Sequence, residues 1–230
     1  MKIQGTGEIA EYLKKQGIRG CIFDIDGTLI DSMGIWNELG ERYLRSIHVE
    51  PESGLAETLF PLSLGEGVQY LKNHYHLSQQ EDEVQHGITG ILENFYRKEV
   101  QLKLWTSEFL SSLKKQGMDM VLTTVGDAEL EEAALRRLGI YDCFRKMLVC
   151  QDYHTSKREP LIYEKALEVL GFQKNEVIVF EDVLQALSTA SKTGFVTAGV
   201  QDEASRSDWK AMQETADFWM RDFHTLEPMK

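Results

Sequence analysis

Two aspartates one residue apart carry the first chemical signal in this chain. Asp24 and Asp26 close a short apolar run, residues 20–25, within the segment CIFDIDGTLIDS at 21–32. The run is short, partly β-branched and aromatic, and ended by Gly27, which suits a buried strand better than a helix. Side chains alternate along a strand, so the two carboxylates are expected on one face at its carboxyl end. Like charges beside apolar neighbours are costly unless a cation or a shared proton offsets them, as in a metal site or an acid/base pair. That geometry asks for Mg²⁺. A calcium loop also opens with D-x-D, but it needs glycine at its sixth position and glutamate at its twelfth. Leu29 and Ile35 stand there, so that reading is excluded.

Other residues able to do chemistry also fall where apolar runs end. Residues 176–180 read as a buried strand leading into Glu181 and Asp182, and 118–124 as a strand ending in Thr123 and Thr124. Lys157 follows a short strand at 147–150 and precedes a helix whose first turn begins near Pro160. Ligands of an open parallel sheet bind outside the carboxyl ends of its strands. Carboxylates, hydroxyls and a lysine gathered there suit phosphoryl transfer: a metal and the lysine neutralise the phosphate, hydroxyls bind its oxygens, and a carboxylate attacks. His48, His74, His76 and His86 lack a ligand spacing such as H-x-x-x-H on one helix, and read as surface or core histidines.

The elements that must position these residues follow from periodicity. After a helix at 9–16 and the strand at 20–25, helical patterns at 35–44, 68–74 and 84–99 succeed one another with no strand signal until about Met118. That gap far exceeds a single crossover helix, so an all-helical module is expected at 33–100. Helices at 106–116, 127–138, 161–170 and 185–193 then alternate with strands at 118–124, 147–150, 176–180 and 195–198, and a last short strand and helix are expected after Ser207. The expected fold class is α/β, a Rossmann-like parallel sheet core from 1–32 and 101–230 interrupted by the helical insert. Gly5-x-Gly7-x-x-Ala10 imitates a dinucleotide fingerprint, but only MKIQ precedes it and that fingerprint must follow a strand.

Composition narrows the partners. In 230 residues, 25 Lys plus Arg face 37 Asp plus Glu, a formal net charge of -12, which opposes nucleic acid or anionic lipid as a partner. Cys21, Cys143 and Cys150 are odd in number, have no C-x-x-C spacing, and read as reduced thiols. The N-terminal segment has no apolar stretch of signal-peptide length and no window reaches a membrane span, so a cytoplasmic protein is expected.

The order of the strand-end positions resembles the haloacid dehalogenase superfamily, whose four motifs are D-x-D-G-T, a strand-end Ser/Thr, a lysine, and an acidic strand end. FDIDGTLIDS at 23–32 matches the first, VLTT at 121–124 resembles the second, SKREP at 156–160 the third and VFEDV at 179–183 the fourth. Arg158 stands where proline is usual and Val183 where serine is more frequent; both departures touch loop packing more than charge. The resemblance implies that Asp24 is the nucleophile that forms an aspartyl-phosphate. Asp26 is then the acid for the leaving alcohol and the base for water, which requires it to hold a proton near neutral pH. Mg²⁺ would be held by the carboxylates of Asp24 and Asp182 and the carbonyl of Asp26, with Glu181 supporting it without ligating it. Lys157 would hold the transferring phosphate, with Thr123 or Thr124 binding its oxygens, and the helical insert would be a cap closing over the site. The implied activity is a Mg²⁺-dependent phosphatase acting on a small phosphorylated metabolite. The alternatives are a phosphomutase similar to β-phosphoglucomutase and a non-catalytic binding module on the same fold. In such mutases a histidine twelve residues after the nucleophile helps gate proton transfer. Trp36 stands at that position here, and an indole N–H cannot accept a proton.

Overall fold

The computed structural model describes residues 2–229. In chain order it contains β1 (Ile3–Gln4), α1 (Thr6–Lys15), β2 (Gly20–Phe23), α2 (Ile35–Ser46), α3 (Leu55–Leu59), α4 (Leu64–His74) and α5 (Glu81–Asn94). These are followed by α6 (Thr106–Lys115), β3 (Asp119–Thr124), α7 (Ala128–Arg137), β4 (Met147–Val149), α8 (Leu161–Leu170) and β5 (Val177–Glu181). The chain ends with α9 (Leu184–Thr193), β6 (Val196–Val200), α10 (Trp209–Thr215), β7 (Phe218–Met220) and β8 (Thr225–Pro228). It divides into two compact units, Met1–Asp31 with Gln101–Lys230, and Ser32–Val100.

The first unit is built on an eight-stranded sheet in the order β1-β8-β7-β6-β5-β2-β3-β4. Neighbours from β4 through β7 pair in parallel, while β8 runs antiparallel to both β7 and β1. The α/β class expected from the alternating periodicity is therefore observed, with an antiparallel edge that short terminal strands did not announce. Strand β2 lies between β3 and β5, where the strand order reverses, the position at whose carboxyl end open parallel sheets bind ligands. All four β2 residues are buried, as parallel strands covered on both faces should be. Ile22, Val121 and Val179 pack on one face with Ile162, Tyr163 and Ala166 of α8. On the other, Phe23 and Phe180 are register partners whose rings stack at 4.4 Å, joined by Phe109 and Phe223. Each such pair adds about 0.5–1.5 kcal/mol beyond its buried area. Because Asp24 follows Phe23 and Glu181 follows Phe180, two site carboxylates start side by side at the ends of paired strands, with Glu181 turned towards Tyr163 of α8.

One expectation needs correction. A strand does precede the Gly5-x-Gly7 segment, namely β1. It pairs antiparallel with β8 at the sheet edge, which is not the parallel crossover that a dinucleotide fingerprint requires.

The second unit is all helical. Leu39, Tyr43 and Leu44 of α2, Leu55 of α3, Val68 and Leu71 of α4, and Val84 and Ile88 of α5 form its core. Ser63 and Glu66 make a reciprocal capping box that starts α4, and the short α3 is an element the periodicity missed. Helix α5 runs into a π-helical turn at Phe95–Glu99. Trp36 sits in the first turn of α2 and is 50% exposed. Among the described residues, no helix is long and apolar enough to cross a membrane.

Candidate active site

Strand β2 ends at Phe23, earlier than its apolar pattern suggests, because the chain turns as soon as the aspartates begin. The Asp24 N–H still donates to the Phe180 carbonyl at 3.1 Å, after which Leu29 N–H bonds Ile25 O at 2.9 Å and Gly27 N–H bonds Ile30 O at 3.0 Å. Gly27 has φ +79°, a conformation that strains any residue with a Cβ. The two aspartates thus leave from the loop that follows β2. Asp24 is buried, and Asp26 is only partly so.

Around Asp24 the structure gathers four residues distant in sequence, Lys157, Tyr163, Glu181 and Asp182. Lys157 Nζ bonds Asp24 Oδ1 and, at 2.8 Å, Glu181 Oε1. The Tyr163 hydroxyl donates to the same Glu181 oxygen at 2.9 Å. Thr28 Oγ1 donates to Asp182 Oδ1 at 2.9 Å, while Asp182 Oδ2 is buried with no hydrogen-bond partner. Burial opposes the Lys157 charge, but Asp24 and Glu181 outweigh it and raise its pKa. Burial pushes the Glu181 carboxyl up to about 7 against the pull of Lys157. Asp182 is held well above the usual carboxylate range by burial, then by Asp24 and Glu181.

These residues fit a divalent metal. Asp24, Glu181 and Asp182 each offer an oxygen, all within 4.8 Å of one another. Three buried carboxyls face a single ammonium, so a divalent cation would let them ionise together, and the unpartnered Asp182 oxygen is a ligand atom of the hard type that Mg²⁺ selects. The Asp26 carboxyl lies outside this group. It stands beside Glu131 of α7, whose carboxyl is pushed well above its usual range by burial and by the Asp26 charge.

The strand-end threonines have different surroundings. Thr124 Oγ1 accepts from Gly126 N–H at 2.8 Å and donates to Glu131 Oε1 at 2.7 Å. Thr123 Oγ1 is buried and has no hydrogen-bond partner. A ligand oxygen would satisfy it, whereas Thr124 is already committed.

Four residues of this neighbourhood carried no role in the sequence reading: Thr28, Tyr163, Glu131 and Lys103. Lys103 Nζ donates to the Gly27 carbonyl at 2.7 Å, the Gln201 carbonyl at 2.7 Å and Asp202 Oδ2 at 2.8 Å, tying the aspartate turn to the end of β6. Glu131 was detectable: it precedes Ala134 and Leu135 by three and four residues and so interrupts the apolar stripe of α7. Lys103 had no such signal, because its three partners come from loops remote in sequence.

Comparison with known proteins defines the class. The model of the haloacid dehalogenase-like hydrolases matches residues 21–200, and the chain belongs to that family. The match spans the aspartate turn, Thr123, Lys157 and the Glu181–Asp182 pair. Phosphoglycolate phosphatase of Neisseria meningitidis is 24% identical over 214 residues, 84% of this chain and 88% of the relative. An (S)-2-haloacid dehalogenase of Burkholderia cepacia is 25% identical over 209 residues, 84% and 87% of the two chains. A Thermotoga maritima structure assigned provisionally as a β-phosphoglucomutase superposes with a TM-score of 0.79 at 20% identity, over 90% of this chain and 95% of that one. The fold is shared across these reactions, so the reaction of this chain has to be argued from its own site.

Proposed function

We propose that this hydrolase is a Mg²⁺-dependent phosphatase that cleaves a small phosphorylated metabolite through an aspartyl-phosphate. The observation that carries the reading is a buried Lys157 paired with Asp24 and Glu181, together with an Asp182 oxygen and a strand-end Thr123 hydroxyl that are buried without partners. A cluster that buries excess negative charge and leaves donors and acceptors unmet is preorganised for a metal and a phosphate, and is costly without them.

In this reading an Asp24 oxygen attacks phosphorus while Asp26 gives a proton to the departing alkoxide. Asp26 then takes a proton from the water that attacks the aspartyl-phosphate, releasing inorganic phosphate and restoring Asp24. Lys157 holds the equatorial oxygens, and the Thr123 hydroxyl donates to one of them. Asp24 and Asp182, with the Asp26 carbonyl, would hold Mg²⁺, and Glu181 supports the arrangement by fixing Lys157. The metal, when bound, neutralises phosphate charge and draws its oxygens into place.

The phosphatase names among the relatives support hydrolysis, and Trp36 leaves water as the default acceptor because an indole cannot relay a proton to a sugar hydroxyl. The test is product analysis on 2-phosphoglycolate and on hexose and pentose phosphates, with a sugar bisphosphate primer present. Inorganic phosphate should appear without a positional isomer, and chelation should stop turnover reversibly. Isomer formed faster than phosphate would make the chain a phosphomutase; full activity after chelation would remove the metal from the mechanism.

A further inference from the structure

Glu131 is a carboxyl in an unusual place. It is 1% exposed, lies on the inward stripe of α7, and has one oxygen held by the Thr124 hydroxyl at 2.7 Å while Oε2 is buried without a hydrogen-bond partner. Its surroundings are arranged for it. Asp127 caps α7 by accepting from Glu129 and Leu130 N–H, which places Glu131 in the first turns of a well-anchored helix. Gly126 leaves the space: a Cβ there would stand 2.1 Å from Glu131 Oε1 and 3.1 Å from Asp26 Oδ2. The Glu131 and Asp26 carboxyls therefore converge on one point across a residue with no side chain. A carboxyl meant only to fill the core would be replaced more cheaply by leucine, since an incompletely paired buried polar group costs about 1–3 kcal/mol. The cost is placed next to the residue that must exchange a proton.

We propose that Glu131 is a positioning residue for Asp26, anchored by Thr124 and presented through the Gly126 gap, so that the Asp26 carboxyl is aimed at the leaving-group oxygen. The proposal rests on the acid/base role given to Asp26 above. It goes beyond that role by assigning a residue outside the four motif positions to the proton-transfer half of the reaction.

The test compares Glu131→Leu, Glu131→Gln and Thr124→Val on two substrates, a simple alkyl phosphate whose leaving group needs a proton and p-nitrophenyl phosphate whose leaving group does not. Glu131→Leu should lower kcat on the alkyl phosphate by about 30-fold and on the nitrophenyl ester by less than about 3-fold, as expected for loss of aligned general acid catalysis. KM should be unchanged, and the melting temperature should not fall. Glu131→Gln keeps an acceptor for Thr124 and a polar group towards Asp26, so it should stay within about 5-fold of the parent. If the leucine variant does not fold, Thr124→Val, which removes the anchor together with the acceptor for Gly126 N–H, should show the same dependence on leaving group. Equal losses on both substrates, or no loss on either, overturn the proposal. Asp24→Asn is measured alongside: if it keeps turnover, the underlying reading falls and this one with it, whereas an inactive Asp24→Asn beside a Glu131→Leu indifferent to leaving group refutes the Glu131 role alone.

Discussion

The two units of this molecule treat charge in opposite ways. The sheet unit buries Asp24, Glu131, Lys157, Glu181 and Asp182, all at or beside the carboxyl ends of its strands, and leaves oxygens of Asp182 and Glu131 without partners. In the helical unit no charged side chain is buried among the described residues. Its core is aliphatic and aromatic, and its ions form surface pairs such as Arg42 with Glu38 and Glu99. Pairs of that kind are worth about 0–1 kcal/mol each. Desolvated carboxylates that outnumber their counter-ions cost more than they return. The sheet unit therefore stores unfavourable electrostatics where chemistry is proposed, while the core of the helical unit holds apolar packing without buried charge.

The sharpest way to break this contrast is Asp24→Asn. The amide is nearly isosteric but cannot accept a phosphoryl group, so phosphate release should fall by at least about a thousandfold with the far-ultraviolet circular dichroism unchanged. Residual activity above that level would rule out Asp24 as nucleophile.

Asp182→Asn sharpens it with two effects of opposite sign. Replacing an anionic oxygen should raise the half-saturating Mg²⁺ concentration by at least about tenfold. In metal-free protein the same change removes a buried carboxyl that burial, Asp24 and Glu181 keep from ionising readily, while keeping the acceptor for Thr28, so the melting temperature should rise. An unchanged Mg²⁺ titration would place the metal elsewhere.

The threonines offer a finer division. Thr123→Val should lower kcat/KM by about 10–100-fold on every phosphomonoester, because it deletes a donor to the phosphate itself. Thr124→Val should discriminate by leaving group instead. Identical profiles for the two valine variants would show that the neighbouring hydroxyls do the same job.

The smallest effects test the packing half of the contrast, on one helix. A methyl at Gly87 would meet Tyr43 Cε2 at 2.5 Å, whereas one at Gly90 meets nothing within 4 Å. Gly87→Ala should destabilise by about 1–3 kcal/mol through overpacking. Gly90→Ala should stabilise by about 0.5–1 kcal/mol, because alanine holds a helix better than glycine. Denaturant midpoints decide both, and equal signs would mean that α5 is not packed against α2 through Gly87. Neither change should alter the leaving-group dependence of kcat.

Much of this molecule is readable without coordinates, for a local reason. The βα rhythm from β3 to β6 is written in period-2 and period-3.6 patterns closed by glycine, and α8 falls on the expected residues because Pro160 opens it and Gly171 ends it. The aspartate turn was legible because its chemistry lies within one short segment. The family and the α/β class follow from such segments taken in order. What the chain alone left open depends on contacts between segments remote in sequence. Whether Thr123 or Thr124 is free for a ligand turns on Glu131, which engages one hydroxyl and not the other. That β2 stops at Phe23 turns on the loop hydrogen bonds that begin at Ile25. That Glu181 faces Lys157 and Tyr163, and that Lys103 clamps Gly27 to Gln201 and Asp202, are products of strand order. Periodicity reports which face of an element is apolar, but the partner of a buried polar atom is chosen only when the sheet brings its strand ends together.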